Sequence, residues 1–402
     1  MSAVAAGLLV LTAVCACTSS PTRLPSSTAP PSSTVSTSAP PRNTSPGSTS
    51  LSCTEPGAVH QWTLARRAAQ LVVAPALDGE IAGLTPVIRR GVGGVLLLGS
   101  KIPPDLAAQI TTADGVAATP PFVMADQEGG GVQRLAGLVV NLPWARQTAA
   151  SMAADAVEAA AARLARQMRT LGVNVDLAPV LDVDGGTGPN ARDPDGPRSF
   201  SSDPAVVARY GTAFMQGLIR GGVMPVVKHF PGLGGATGNT DYGPAETQPL
   251  STLRSTGLPP FEAAIHQGAP AVMVSNATVP ELAEEPASVS SAVVQTLLRG
   301  ELGFHGLVLT DSLSAGAVTA AGYTTSRAAL AAVEAGADMV LFGSTLTRAE
   351  MQLLSPANVA TSTAQIVAAL VTAVESRALP TERLNQAVLK VLAAKGISLC
   401  RS

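Results

Sequence analysis

The strongest constraint in this chain is a rhythm. Short apolar runs alternate with alanine-rich stretches of helical length. The runs lie at 71–74, 94–98, 122–125, 175–178, 224–228, 271–275, 307–310 and 339–342. Most are bounded by Gly, Pro, Asp or Asn, as buried parallel strands tend to be. The helical patterns at 150–171, 204–220, 293–302 and 326–335 each stop at a glycine: Gly172, Gly221, Gly303 and Gly336. Helix, then glycine, then strand is how a helix cap returns a chain to a sheet. Two further helices, 360–374 and 381–394, close the pattern. Eight strand–helix units in about 340 residues predict an α/β fold, a (β/α)8 barrel of the TIM type with one catalytic domain. An open doubly wound sheet shares the alternation, but no GxGxxG supports dinucleotide binding.

The N-terminus reads as an address and a tether. Residues 3–16 (AVAAGLLVLTAVCA) are almost wholly apolar. That is short of the roughly 20 residues a spanning helix needs, and it fits a secretory signal. Cys17 follows Ala16, so residues 1–17 resemble a signal peptide with a bacterial lipobox, Cys17 receiving the lipid and Cys15 being the poorer candidate. Residues 18–52 contain 12 Ser, 7 Thr and 7 Pro. Such a segment cannot bury enough apolar surface to order itself and predicts a disordered spacer. The globular body is then 53–402. Cys53 and Cys400 bracket it, and in an exported protein two leftover cysteines are expected to pair. The expected location is the outer face of the cell membrane, held through a lipid anchor only, as a monomer. With 26 Lys+Arg against 28 Asp+Glu, the charge balance excludes a protein built around nucleic-acid phosphates. Four cysteines and four histidines show no metal-ligand spacing.

Barrel enzymes place their chemistry at the C-terminal ends of the strands. After the third run comes Asp126-Gln-Glu-Gly-Gly-Gly-Val-Gln-Arg134. After the fourth come Asp182, Asp184 and, further on, Arg198-Ser-Phe. The fifth ends in Lys228-His229-Phe-Pro-Gly232, the seventh in Thr310-Asp311-Ser312. Turn and cap roles explain aspartates well, Asp182, Asp184 and Asp193 above all. They explain Lys228 and Asp311 less well, because a charge on a buried strand needs a partner or a ligand. Carboxylates beside a cationic cluster, without a metal site, point to glycoside hydrolysis. One carboxylate attacks and another group donates, then accepts, a proton.

These four motifs, in this order over about residues 57–396, resemble glycoside hydrolase family 3. The single-barrel form is similar to its β-N-acetylglucosaminidase branch, and the lipobox with its tether is similar to lipoprotein members of that branch. The resemblance implies Asp311 as the nucleophile of a covalent glycosyl–enzyme intermediate. It implies Asp126, Arg134, Arg198, Lys228 and His229 as contacts to the terminal sugar. The substrate would carry a terminal β-linked GlcNAc, as on peptidoglycan fragments. No metal or organic cofactor is implied.

The chain departs from the branch where the acid/base belongs. The loop usually ends in an Asp and a His that act as a dyad. Matched without gaps, Asn239 stands in place of that Asp and Asp241 in place of that His. Asp241 becomes the expected proton donor, with Glu246 as second candidate. A carboxylic acid can do this if burial or a neighbouring charge raises its pKa. The alternatives are a weak or inactive sugar-binding lipoprotein, a β-glucosidase of the same fold, and a phosphorylase. Asn239 is expected to orient Asp241, and the glycines of the loop predict a segment that closes over substrate. Gly131 replaces an arginine common in the family.

Overall fold

Eight parallel strands close on themselves in the computed structural model, which describes residues 55–400. In chain order they are β1 (Val72–Leu77), β2 (Gly94–Leu98), β3 (Phe122–Ala125), then the antiparallel hairpin β4 (Gln127–Gly129) and β5 (Val132–Gln133), then β6 (Val175–Asp176), β7 (Met224–Phe230), β8 (Ala271–Val274), β9 (Leu307–Ser312) and β10 (Met339–Leu341). The barrel order is β1-β2-β3-β6-β7-β8-β9-β10, and β10 pairs back with β1. This is the expected (β/α)8 barrel, within the compact unit 52–402. The leader at 1–17, its Cys17, the spacer at 18–52 and Cys53 lie outside the described residues. Cys400 is disulfide-bonded.

The strands are apolar on both faces because both faces are covered. Val73, Leu96, Met124, Val226, Met273, Leu309 and Met339 fill the barrel interior. Their neighbours Val72, Val95, Val123, Val227, Val272, Val308 and Val340 pack outward against the helices. This alternation by two places the polar residues as well. Lys228 follows Val226, and Asp311 follows Leu309, on the inward face one step above the core.

Local differences from the expected elements have visible causes. The pattern at 150–171 is two helices, Ala145–Ser151 and Ala154–Thr170, because Met152 and Ala153 are extended. The Met152 carbonyl accepts the Tyr210 hydroxyl instead of a helical N–H. The run at 175–178 yields only a two-residue strand, and the chain then turns through Ala178-Pro179. The run at 307–310 extends to Ser312, so Asp311 lies within a strand. The helices Pro204–Arg220 and Thr381–Ala394 have the expected bounds. Gly336 ends the helix Thr325–Ala335 at φ 114°, a backbone that residues with a side chain rarely adopt.

Candidate active site

One cavity of about 360 Å³ opens at the C-terminal ends of the strands. Asp126, Arg134, Arg198, Lys228, His229, Asp241 and Asp311 all line it. The structure therefore brings together every sugar-contact and catalytic residue expected from the sequence except Glu246. Glu246 is exposed and faces a separate cleft beside Glu281, Glu284 and Glu285. Its backbone is tied to Thr237, which turns its side chain away from the sugar cavity.

The hairpin β4–β5 presents the first cluster. Gln127 and Gln133 brace it from within. The Gln127 side chain accepts the Leu135 N–H at 2.9 Å, and Gln133 accepts the Leu142 N–H at 2.8 Å. The buried Asp176 accepts the Gln127 N–H at 3.0 Å, fixing the chain between Asp126 and Glu128. At the hairpin tip, Gly130 has φ 57°, and a Cβ there would lie 2.0 Å from the Trp144 ring. The same ring covers Gly131, so Trp144 fills the space beside the position where the family carries arginine.

Two cations hold this cluster. Lys228 Nζ reaches Asp126 Oδ1 at 2.7 Å and Glu128 Oε1 at 2.6 Å. Arg198 grips Glu128 with two parallel bonds, 2.9 and 2.8 Å. Arg134 stands 3.9 Å from Asp126. Burial alone would raise the Glu128 pKa, but Arg198 and Lys228 hold it well below the carboxylate range. Burial would lower Lys228, and Asp126 and Glu128 more than reverse that. Glu128 was not singled out in the sequence; its signal was its place inside the Asp126–Arg134 motif.

His229 completes the floor. The consecutive residues Lys228 and His229 both line the cavity, where the β7–β8 register shifts between Val227 and Phe230. His229 Nδ1 lies 2.6 Å from Asp182 Oδ2, and Asp182 Oδ1 accepts the Leu233 N–H at 2.7 Å. Burial, then the charges of Arg198 and Lys228, lower the His229 pKa to about 4, so the imidazole is neutral near pH 7. Burial raises Asp182 to about 7 against the N–H groups of Leu233 and His229. Asp182 is thus no turn residue. Asp184 and Asp193 are: they accept backbone N–H groups of Gly186, Gly188, Asp195 and Gly196. The signal for Asp182 was a carboxylate directly after the apolar stretch Pro179-Val-Leu.

Asp311 and Asp241 differ from the other rim carboxylates. Neither has an ion-pair partner among the described residues. Asp311 Oδ1 accepts only the Ser312 N–H, at 2.7 Å. Burial raises its pKa, and the Asp241 charge adds to the rise. Burial also raises Asp241, with Arg198 opposing. The loop that carries Asp241 is docked in place. Gly316 and Ala317 donate to the carbonyls of Asp241 and Thr240, both at 3.0 Å. Asn239 Oδ1 accepts the Asp241 N–H at 3.0 Å, so Asn239 orients the Asp241 backbone and not its carboxylate. Two carboxylates held free of ion pairs in one cavity, beside carboxylates already neutralised by cations, can do acid/base and nucleophilic work.

Comparison with known proteins bears on the family of this chain. The model of the glycosyl hydrolase family 3 N terminal domain matches residues 81–394. The chain belongs to glycosyl hydrolase family 3. Within this family, the beta-hexosaminidase LpqI of Mycobacterium tuberculosis (strain ATCC 25618 / H37Rv) is 38% identical over 296 residues, 69% of this chain and 73% of that protein. The solved structure of M. tuberculosis LpqI superposes with a TM-score of 0.74 at 33% identity, covering 86% of this chain and 98% of that one. The structure of a beta-N-acetylhexosaminidase from Beutenbergia cavernae DSM 12333 superposes equally, with a TM-score of 0.74 at 31% identity over 84% and 99% of the two chains.

Proposed function

We propose that this chain, a glycoside hydrolase of the β-N-acetylhexosaminidase type, is a retaining exo-enzyme that removes terminal β-linked GlcNAc with Asp311 as nucleophile and Asp241 as acid/base. The observation that carries the assignment is the division of charge in the cavity. Asp126 and Glu128 are committed to Lys228, Arg198 and Arg134, whereas Asp311 and Asp241 keep free oxygens. Asp311 attacks the anomeric carbon while protonated Asp241 gives its proton to the leaving oxygen. Water then attacks the glycosyl–enzyme ester, with Asp241 taking the water proton back. Burial raises the Asp241 pKa, against the opposing Arg198 charge, and so favours the protonated form that the first half of this cycle needs. Ionised Asp241 in the second half repels an anionic acceptor, which favours water over phosphate. Asp126, Arg134, Arg198, Lys228 and His229 hold the sugar hydroxyls. His229, neutral and engaged at Nδ1, offers Nε2 to a hydroxyl.

The test is hydrolysis of aryl β-N-acetylglucosaminides that span a range of leaving groups, by the wild type and the Asp311→Asn and Asp241→Asn variants. Loss with every leaving group in the first variant, and mainly with poor ones in the second, is the expected pattern. Equal loss across leaving groups for Asp241→Asn would remove it from the acid role. A wild type that binds GlcNAc without turnover would leave a sugar-binding protein.

We further propose muropeptide fragments as substrates and lipid attachment at Cys17 as the anchor to the outer face of the membrane. The apolar run ending at Cys17 and the following Ser/Thr/Pro spacer support this reading. Labelling with radioactive palmitate in the wild type and its absence from Cys17→Ser is the measurement that decides the anchor.

A further inference from the structure

A second cavity, of about 490 Å³, lies among the outer helices away from the sugar site. One wall is the helix Pro356–Glu375. It runs 19 residues without a charge, to Glu375, yet only 33% of its most apolar stretch is buried. The exterior helices Ala154–Thr170 and Thr381–Ala394 both carry charges within them, such as Glu158, Arg163 and Arg166 in the first and Arg383 and Lys390 in the second. Ala364, Val367, Ala368 and Val371 line the cavity at the i, i+3, i+4 and i+7 spacing of one helix face. The opposite wall brings Arg66, Arg89 and Arg90. No acidic residue lines the cavity, and none of the three arginines has an ion-pair partner among the described residues. Arg66 is fixed by stacking 3.7 Å over Trp62 and by a bond to Thr119 at 3.3 Å. Two buried polar atoms at the cavity lack partners, Arg66 Nε and Thr363 Oγ1. Thr363 is only 6% exposed.

Buried polar atoms are almost always bonded, so the two orphans show that the protein itself does not saturate the polar groups on this side of the barrel. An apolar pocket with a few convergent polar groups, of roughly 300–1,000 Å³, is the usual form of a small-molecule site. Three unpaired guanidinium groups select a carboxylate or phosphate. The uncharged helix face selects an alkyl body. We propose that this cavity binds an anionic amphiphile, with its headgroup at Arg66, Arg89 and Arg90 and its chain along Ala364–Val371. Free fatty acids and phospholipids share that chemistry.

Binding is measured on the full chain by titration with laurate, dodecyl phosphate and uncharged dodecanol, following Trp62 fluorescence. Sedimentation with vesicles of phosphatidylglycerol or of phosphatidylcholine forms a second arm. The variants are the double Arg89→Glu, Arg90→Glu and the single Val367→Asp. The apolar segment 3–16 is common to all of them, so differences read the cavity. Aryl-glycoside hydrolysis, unchanged in the variants, shows that each is folded. Laurate or dodecyl phosphate is expected to bind about tenfold or more tightly than dodecanol, the scale of one charge-assisted contact, and each variant is expected to lose that affinity. Saturable binding of the free amphiphile assigns a soluble ligand. Association with phosphatidylglycerol vesicles alone, lost in the variants, assigns a membrane lipid. Equal binding of dodecanol, or binding unaffected by charge reversal and by Val367→Asp, overturns the proposal.

Discussion

Two buried charge clusters sit at opposite ends of the same barrel. At the N-terminal end, Asp338 precedes β10 with no exposure at all. Its oxygens meet Arg299 at 2.8 Å, Arg383 at 3.2 Å and the Val308 N–H at 3.0 Å, with Lys390 at 3.9 Å. The arginines spend their other donors on the carbonyls of Phe304, Gly306, Val333 and Gly336. Nothing there is left to react. At the C-terminal end, carboxylates outnumber the cations that hold them, and Asp311 and Asp241 stay free. Saturation makes a cluster a brace; deliberate under-saturation makes it a site, because only an uncommitted oxygen can attack carbon or carry a proton.

Substitutions at the two ends should therefore fail differently. Asp311→Asn should lower kcat by about 10⁴-fold or more, on the scale of losing a nucleophile, with little change in thermal stability. Steady-state kinetics beside a melting curve would show whether the two are separable. Asp241→Asn should lower kcat by about 10²–10⁴-fold for poor leaving groups and far less for activated aryl glycosides. It should also abolish the alkaline fall of the pH–rate profile, since that limb reports Asp241 losing its proton, while the acid limb from Asp311 gaining one remains.

Asp338→Asn is the matching change at the closed end. Breaking a buried ion cluster costs roughly 3–5 kcal/mol. Denaturant titration should register that loss while kcat/KM of the folded fraction stays at the wild-type value. A large loss of turnover in folded protein would erase the contrast between the two ends.

Gly316→Ala sharpens the comparison within the catalytic end. A Cβ at Gly316 would lie 2.6 Å from the Tyr242 carbonyl carbon and push the Asp241 loop outward. A displacement near 1 Å can cost about 10²-fold, so kcat for poor leaving groups should fall while activated substrates are spared. Gly243→Ala, in the same loop with nothing within 4 Å of its Cβ, is the control and should be silent.

A further effect concerns pH and stability. Burial raises Asp176 to about 8, while an unfolded aspartate titrates near 3.9. A carboxyl raised in the folded state binds its proton more tightly there. Its stabilising contribution is complete below the unfolded pKa and is lost as pH rises toward 8. Asp176→Asn keeps the acceptor for the Gln127 N–H and removes the titration. Its melting temperature should decline less between pH 4 and pH 8 than that of the wild type. Parallel declines would place the Asp176 pKa near its ordinary value.

Much of this was legible in the chain itself. The strands Gly94–Leu98 and Phe122–Ala125 and the helices Pro204–Arg220 and Thr381–Ala394 have the bounds that apolar periodicity and capping residues predict. Local sequence determines such elements because hydrophobic spacing and caps act over a few residues. The family motifs likewise marked Asp126, Arg134, Arg198, Lys228, His229 and Asp311. What the sequence could not decide was which carboxylates are committed. Asp182 and Asp184 look alike in the chain, yet one holds His229 and the other ties a turn. Asp241 and Glu246 were both candidates, and only the loop's docking on Gly316 and Ala317 turned one into the cavity and the other away. Those outcomes depend on partners 47 or more residues distant for Asp182 and His229, and on a loop docked on the helix Gly316–Ala320 that follows the strand carrying Asp311. Sequence determined the barrel and the identity of its polar rim. Tertiary structure decided which charges cancel and which remain free, because Coulomb energy and burial depend on distance in space and not along the chain.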